Sequence, residues 1–151
     1  MNITIVAVGR AGKTPQADLF DTYVKRLPWP LTLKEVEEKR PLPDAQRTEK
    51  EGQLILAAIP DGAHVIAMDK DGKDFDSAGF AKAIENWRGM SIKNLCFVIG
   101  GSNGLSTSVM DRANQKMCMG RLTWPHMLAR VMLAEQLYRA WAIIEGHPYH
   151  K

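Results

Sequence analysis

Cysteine is nearly absent from this 151-residue sequence: Cys96 and Cys118 are the only two. Each sits among apolar neighbours, which reads as a buried reduced thiol. Neither belongs to a Cys/His cluster at zinc-ligand spacing. A disulfide framework and a structural zinc are excluded, and no metal is expected. No apolar run approaches the ~18 residues that a membrane span requires. The N-terminus lacks the basic-then-apolar pattern of a signal peptide, since Asn2 and Thr4 interrupt it and a strand-like run follows. The expected location is the cytoplasm. There is no large excess of one charge either: the formal net charge is +3. That balance is compatible with an RNA partner without requiring one. Repeats, low-complexity segments and a domain linker are all missing. With 45% apolar and 25% charged residues, the chain reads as one ordinary globular domain, residues 1–151, with its own core.

What is present is concentrated in the closing stretch, Leu122 to Lys151. Pro125 sits where a helix can start, because its missing N–H would have no partner in a first turn. From Met127 to Ile144 there is no Gly or Pro. Met127, Val131, Ala134, Tyr138 and Trp141 recur at helical spacing. Leu128, Met132, Leu133, Leu137, Ala140 and Ile144 form a second stripe. A helix apolar nearly all round is buried on more than one side. One side is expected to face its own sheet and the other a second copy of the chain, giving a homodimer. The few polar residues are placed: His126 and Arg130 share a face, and Glu135 and Arg139 share another, roughly opposite. Gly146 ends the helix. The tail His147-Pro148-Tyr149-His150-Lys151 reads equally well as a frayed terminus or as a proton-active segment.

In chain order, Ile3 to Val8 is a buried strand ending at Gly9. A helix is expected over Pro15 to Arg26, stopped by Pro28 and Pro30. Leu31 to Val36 is a second strand. Lys34 to Gln53 mixes both charge signs around Pro41 and Pro43, and reads as a solvated loop running into a helix through Leu54 to Ile59. His64 to Asp69 is a third strand, Lys70-Asp71-Gly72-Lys73 a turn. Ser77 is the expected cap of a helix to about Arg88. Leu95 to Ile99 is a fourth strand, apolar at every position as central parallel strands are. Ser106 caps a short helix, and Lys116 to Met119 is a short fifth strand. Strands alternating with helices make an α/β protein with a largely parallel sheet.

Two loops are candidate ligand sites. Ala7 to Thr14 resembles a phosphate-binding P-loop, with Ala7 in place of its first Gly and Asp69 as a metal-holding acid. Against it, Ala7 belongs to the strand, and Pro15 removes one of the amides that would cradle phosphate. Gly100-Gly101-Ser102-Asn103-Gly104 ends the most buried strand, at the sheet edge where open α/β folds bind ligands. Glycine there lets a ligand approach the backbone. The loop is not G-x-G-x-x-G, so a Rossmann dinucleotide site is disfavoured. Ser102 and Ser106 lack the context of a nucleophile elbow.

A set of motifs spans nearly the whole chain: Ile99-Gly-Gly-Ser-Asn-Gly-Leu105, Leu122-Thr-Trp-Pro-His126, Leu128-Ala-Arg-Val131, Glu135-Gln-Leu-Tyr-Arg-Ala140 and Pro148-Tyr-His150. With the opening Ile-Val-Ala-Val-Gly and Glu49-Lys-Glu-Gly52, they closely resemble the RlmH family. These are SPOUT-class methyltransferases acting on N3 of a pseudouridine in large-subunit ribosomal RNA. Trp124 stands where other members often carry Leu or Phe. The resemblance implies a C-terminal trefoil knot, S-adenosylmethionine as cofactor, a homodimer, and ribosomal RNA within the ribosome as substrate. By matching positions it implies a cofactor site of Met68, Gly100, Gly101, Met119, Gly120, Arg121, Leu122, Thr123 and Trp124. A target pocket of His126, Arg130, Tyr149 and His150 is expected. Arg130 would hold a phosphate or a uracil oxygen, Tyr149 would stack on or hydrogen-bond the base, and His150 is the candidate proton acceptor. The alternatives are a small P-loop-like NTPase and a non-catalytic dimeric RNA-binding module.

Overall fold

The computed structural model describes residues 1–150. Its elements are β1 (Asn2–Val8), α1 (Pro15–Arg26), β2 (Leu31–Val36), α2 (Asp44–Ala58), β3 (His64–Asp74), α3 (Ser77–Gly89), β4 (Asn94–Ile99), α4 (Thr107–Arg112), β5 (Gln115–Cys118) and α5 (His126–Ile144). A short 3₁₀ turn, Pro148–His150, follows. The five strands form one sheet in the order β2-β1-β4-β3-β5, and every pairing is parallel.

Alternation along the strands divides the core. Ile3, Ile5, Ala7, Ile66, Leu95, Phe97 and Ile99 face one side and pack with α1, α3 and α5. Val6, Val8, Val65, Ala67, Cys96 and Val98 face the other, where Ile55 of α2 and Val109 of α4 cover them. Burial pushes the Cys96 thiol up to about 11, as expected of an inert core thiol.

Three boundaries differ from expectation, each for a local reason. The stretch Lys34 to Gln53, read as a loop running into a helix, is strand to Val36, loop to Pro43 and helix from Asp44. Lys70 to Lys73 is not a turn. β3 runs through it and re-pairs with β5 after a shift between Met68 and Lys73. Gly72 permits this, because a Cβ there would lie 2.5 Å from the Met117 backbone nitrogen. Asp76, not Ser77, caps α3, accepting from the Gly79 amide at 2.6 Å. Ser77 instead donates to Gln136 of α5 at 2.8 Å.

Helix α5 lies over the sheet between α1 and α3, and Val131, Leu133, Ala134, Leu137, Tyr138, Ala140 and Ala142 are buried. Much of its second apolar stripe is therefore covered within the chain. Among the large apolar residues still exposed are Leu128 of α5, Leu19 of α1, and Leu122 and Trp124 of the loop between β5 and α5.

Candidate active site

The cofactor residues expected from sequence gather at the C-terminal edge of the sheet. Met68 pairs with Ile99 and with Met117, so it lies beside the start of the glycine loop and the end of β5. Gly100 must be glycine: a Cβ would sit 2.7 Å from the Gly104 carbonyl carbon. The loop folds back on itself through the Gly104 amide and the Gly101 carbonyl, 3.0 Å apart. Across the edge, Met119 to Trp124 forms a second loop, with Gly120 at φ +86. The Trp124 indole Nε1 donates to the Met119 carbonyl at 3.0 Å and holds this loop closed. Leu or Phe, the residues common in the resembling family, have no such donor.

A cavity of about 540 Å³ opens between α1, α3 and α5. Met119 and Gly120 line it, with Phe75, Phe80, Met117 and Val131 as apolar walls. Met68, Gly100, Gly101 and Arg121 to Trp124 lie outside it. Its polar wall is Tyr23, Asp76, Ser77, Glu135 and Gln136.

That wall continues into the tail, which is ordered through its described residues, 147–150. The Tyr149 hydroxyl donates to Glu135 Oε1 at 3.0 Å. Arg139 donates to the same oxygen from Nε and Nη2, at 3.0 and 2.6 Å. The Arg139 guanidinium also sits 5.0 Å above the Tyr149 ring, and the Tyr149 and Tyr138 rings are 4.6 Å apart. Burial, then the Tyr23 hydroxyl and Glu135, push the Tyr149 phenol up, so it is a neutral donor and not a base. His150 Nδ1 faces the His147 carbonyl. A carbonyl only accepts, so Nδ1 is the donor, which in the neutral ring leaves the lone pair on Nε2.

The four residues expected to share a target pocket separate into two groups within one chain. His126 and Arg130 stand at the start of α5, against Gly9, where a Cβ would come within 3.5 Å of His126 Nε2. Tyr149 and His150 fold against its second half. Nine residues separate His126 from Glu135, roughly 13 Å along a helix. Burial and the neighbouring Arg130 charge both lower the His126 pKa.

Arg130 meets a different geometry from the one expected of a substrate-binding arginine. It is 2% exposed. Nη2 donates to the carbonyls of Val8 and Gly9 at 2.7 and 2.8 Å, and Nη1 donates to Glu35 at 2.8 Å. Glu35 also accepts from the Ala11 amide at 2.8 Å. Burial lowers the Arg130 pKa, and Glu35 opposes that shift. Both terminal nitrogens donate within the fold and the buried Nε has no partner, so within one chain the guanidinium does not face a phosphate or a uracil oxygen. The same contacts dispose of the P-loop alternative. The Val8 and Gly9 carbonyls point at a buried cation and the Ala11 amide is taken up by Glu35, whereas a phosphate cradle leaves its amides free for an anion.

Glu135 and Arg139 were read as a spaced pair and not as site residues. The available signal was their acid-first i,i+4 order on the face opposite Arg130. A second missed residue is Glu51, a buried carboxylate on α2 beside the glycine loop. It shares the inward stripe of Gly52 and Ile55, which an acid rarely does without a reason.

A family model described as a predicted SPOUT methyltransferase matches residues 1–150. The chain is 48% identical over 151 residues to the ribosomal RNA large subunit methyltransferase H of Paramagnetospirillum magneticum, covering 100% of this chain and 99% of that one. It is 46% identical to the protein of that name in Rhodospirillum centenum, with the same coverage. The Clostridium perfringens protein, "Ribosomal RNA large subunit methyltransferase H 1", is also 46% identical, over 159 residues and the whole of both chains. Among solved structures, a probable methylase family protein from Haemophilus influenzae shares the fold. Its TM-score is 0.56 at 12% identity, over 99% of this chain and 70% of that one.

Proposed function

The chain belongs to the SPOUT methyltransferase family, and on that premise we propose that it methylates N3 of a pseudouridine in large-subunit ribosomal RNA, using S-adenosylmethionine. The observation that carries this reading is the continuity of one cavity. Its wall includes Met119 and Gly120 of the loop assigned to the methyl donor, and Glu135, which holds Tyr149. The two glycine-bearing loops fit a nucleoside: they offer backbone groups and close approach, and Trp124 preorganises one of them. The reading carries the family's C-terminal trefoil knot. The course of α5, back over the sheet from its edge strand, supports that topology.

When bound, S-adenosylmethionine supplies an electrophilic methyl group. This chain supplies position and proton handling. His150 Nε2 is the proton acceptor for N3. Arg139, kept cationic by its hydrogen bonds to Glu135, stabilises negative charge on the base as that proton leaves. Tyr149 positions the ring. Arg130 and Glu35 brace the loop on which His126 rests. The separation of His126 from Tyr149 within one chain favours a homodimer, in which the start of α5 in one copy lies beside the tail of the other. Exposed Leu19, Leu122, Trp124 and Leu128 are consistent with such a contact. With a net charge of only +3, affinity for naked RNA should be weak, which favours a shaped target such as the assembled ribosome.

The test is methyl incorporation from labelled S-adenosylmethionine into ribosomes lacking the modification, with the product nucleoside identified by mass spectrometry. A methylated pseudouridine is expected. Cofactor binding without incorporation would favour the non-catalytic RNA-binding module, and ATP binding instead would restore the NTPase.

A further inference from the structure

The two oxygens of Glu135 have separate partners. Oε1 accepts from Arg139 Nε and Nη2 and from the Tyr149 hydroxyl. Oε2 accepts from Gln136 Nε2 at 2.7 Å. Gln136 Oε1 in turn accepts from the Ser77 hydroxyl of α3 at 2.8 Å. A chain of hydrogen bonds thus runs from the start of α3, through two neighbouring residues of α5, into the tail. Ser77, Gln136 and Glu135 all line the 540 Å³ cavity.

Two features of this chain are not what a helix gives by default. Residues one apart on a helix do not face each other, yet the Glu135 and Gln136 side chains meet. An arginine beside a carboxylate commonly grips both oxygens in parallel. Arg139 instead puts both of its donors on Oε1 and leaves Oε2 to Gln136. A carboxylate oxygen only accepts, so the amide nitrogen of Gln136 must face it. Ser77 holds the amide that way round by donating to its oxygen, because a reversed amide would set two acceptors against each other. With Oε2 occupied, Oε1 is shared by the guanidinium and the phenol. With Oε2 free, the carboxylate would turn to meet Arg139 with both oxygens, and the Tyr149 hydroxyl would lose its anchor.

We propose that Gln136, oriented by Ser77, is a positioning residue for methyl transfer: it pins the Glu135 carboxylate so that Oε1 stays in reach of the Tyr149 hydroxyl. This rests on the reading of Tyr149 as a residue of the target pocket. Gln136 then acts on the rate through Tyr149, without itself holding the base or the donor.

The test is single-turnover methylation of ribosomes lacking the modification, at varied ribosome concentration, with the full chain. The proteins are the wild type, Gln136→Met, Ser77→Ala, Tyr149→Phe, and each of the first two variants combined with Tyr149→Phe. Loss of a hydrogen bond to a charged group predicts a maximal rate about 10-fold lower for Gln136→Met. The half-saturating ribosome concentration should change by less than about threefold. In the Tyr149→Phe background, which has no hydroxyl to anchor, the same change should cost less than about twofold. Ser77→Ala leaves every side chain of α5 intact and guards against a misfolded Gln136→Met; it should slow transfer about threefold, again only when the Tyr149 hydroxyl is present. Losses that multiply fully with Tyr149→Phe, a full rate in both Gln136→Met and Ser77→Ala, or a loss seen only in ribosome affinity each overturn the assignment. Full activity of Tyr149→Phe would instead overturn the target-pocket reading, and a wild type that transfers no methyl group the methyltransferase reading itself.

Discussion

Arg130 and Arg139 stand nine residues apart on one helix, each paired with a glutamate, and they do different work. Arg130 is 2% exposed and ties three segments together: the end of β1, the loop after it, and Glu35 on β2. Arg139 retains 29% side-chain exposure, and its carboxylate partner also holds the tail tyrosine. A buried guanidinium whose two terminal nitrogens are held by the fold cannot also reorganise around a substrate. One held by a single carboxylate at a cavity wall can. The distinction between bracing and chemistry therefore lies in burial and partner count, not in residue type.

The largest expected effect breaks the two apart. Arg130→Met should cost about 3–5 kcal/mol, because it leaves the Val8 and Gly9 carbonyls without a donor and half-buried Glu35 with only the Ala11 amide. Arg139→Ala should cost no more than about 1 kcal/mol, as for a partly exposed ion pair, while lowering methyl transfer by about 10²-fold. Denaturant titration and single-turnover methylation measure the two axes. Comparable stability losses in both variants would erase the distinction.

Next in size is removal of Tyr149 to Lys151, the last of which lies outside the described residues. Methylation should fall by about 10²-fold or more with the loss of the acid–base group, while calorimetric binding of S-adenosylmethionine changes by less than about threefold. A truncated chain with full activity would free the tail from any role.

A smaller effect concerns the loop that precedes both arginines. Trp124→Phe keeps an aromatic ring but loses the bond to Met119, worth about 1 kcal/mol. Donor affinity should drop by roughly fivefold, and backbone amide exchange at Gly120 to Thr123 should quicken. Unaltered exchange would mean that Trp124 acts by size alone.

The mildest effect is a pH dependence confined to the Arg130 end. Burial, then Arg130, lowers the folded-state pKa of His126. The folded state thus binds fewer protons than the unfolded chain, and stability rises with pH through that window. His126 should leave stability undiminished above the ordinary histidine value of about 6.5 and reduce it as pH falls below. His126→Asn should flatten that decline in denaturation midpoints measured between pH 5 and pH 8, a range chosen around that value. An identical slope in the variant would assign the effect elsewhere, for instance to His64, whose pKa burial also lowers.

Much of the architecture was legible from local pattern. The apolar run Leu95 to Ile99 marked the central strand, and α1 begins and ends at the residues that Pro15 and Pro28 suggested. Ser106 caps its short helix as its hydroxyl suggested. The failures have a common cause. Asp71-Gly72 carries a turn signal, yet pairing with β5 carries the strand through it. The start of α2 was hidden because its inward stripe is short and includes a glycine and an acid. In the candidate site, the glycine loop and the Met119 to Trp124 run were visible as motifs. The commitment of Arg130 to the fold was not, and neither was the burial of Glu51 against the glycine loop.

Periodicity, capping and turn chemistry act over a few residues, so the alternation of strands and helices and the apolar character of α5 were already present in the linear chain. Which polar groups are neutralised depends on contacts between distant segments. Arg130 finds the Val8 carbonyl 122 positions away, and Ser77 finds Gln136 across 59. Such partners depend on the order in which the sheet assembles and on how closely the helices approach it. That packing turned one arginine into a brace and left the other partly exposed, held by a carboxylate of the cavity wall.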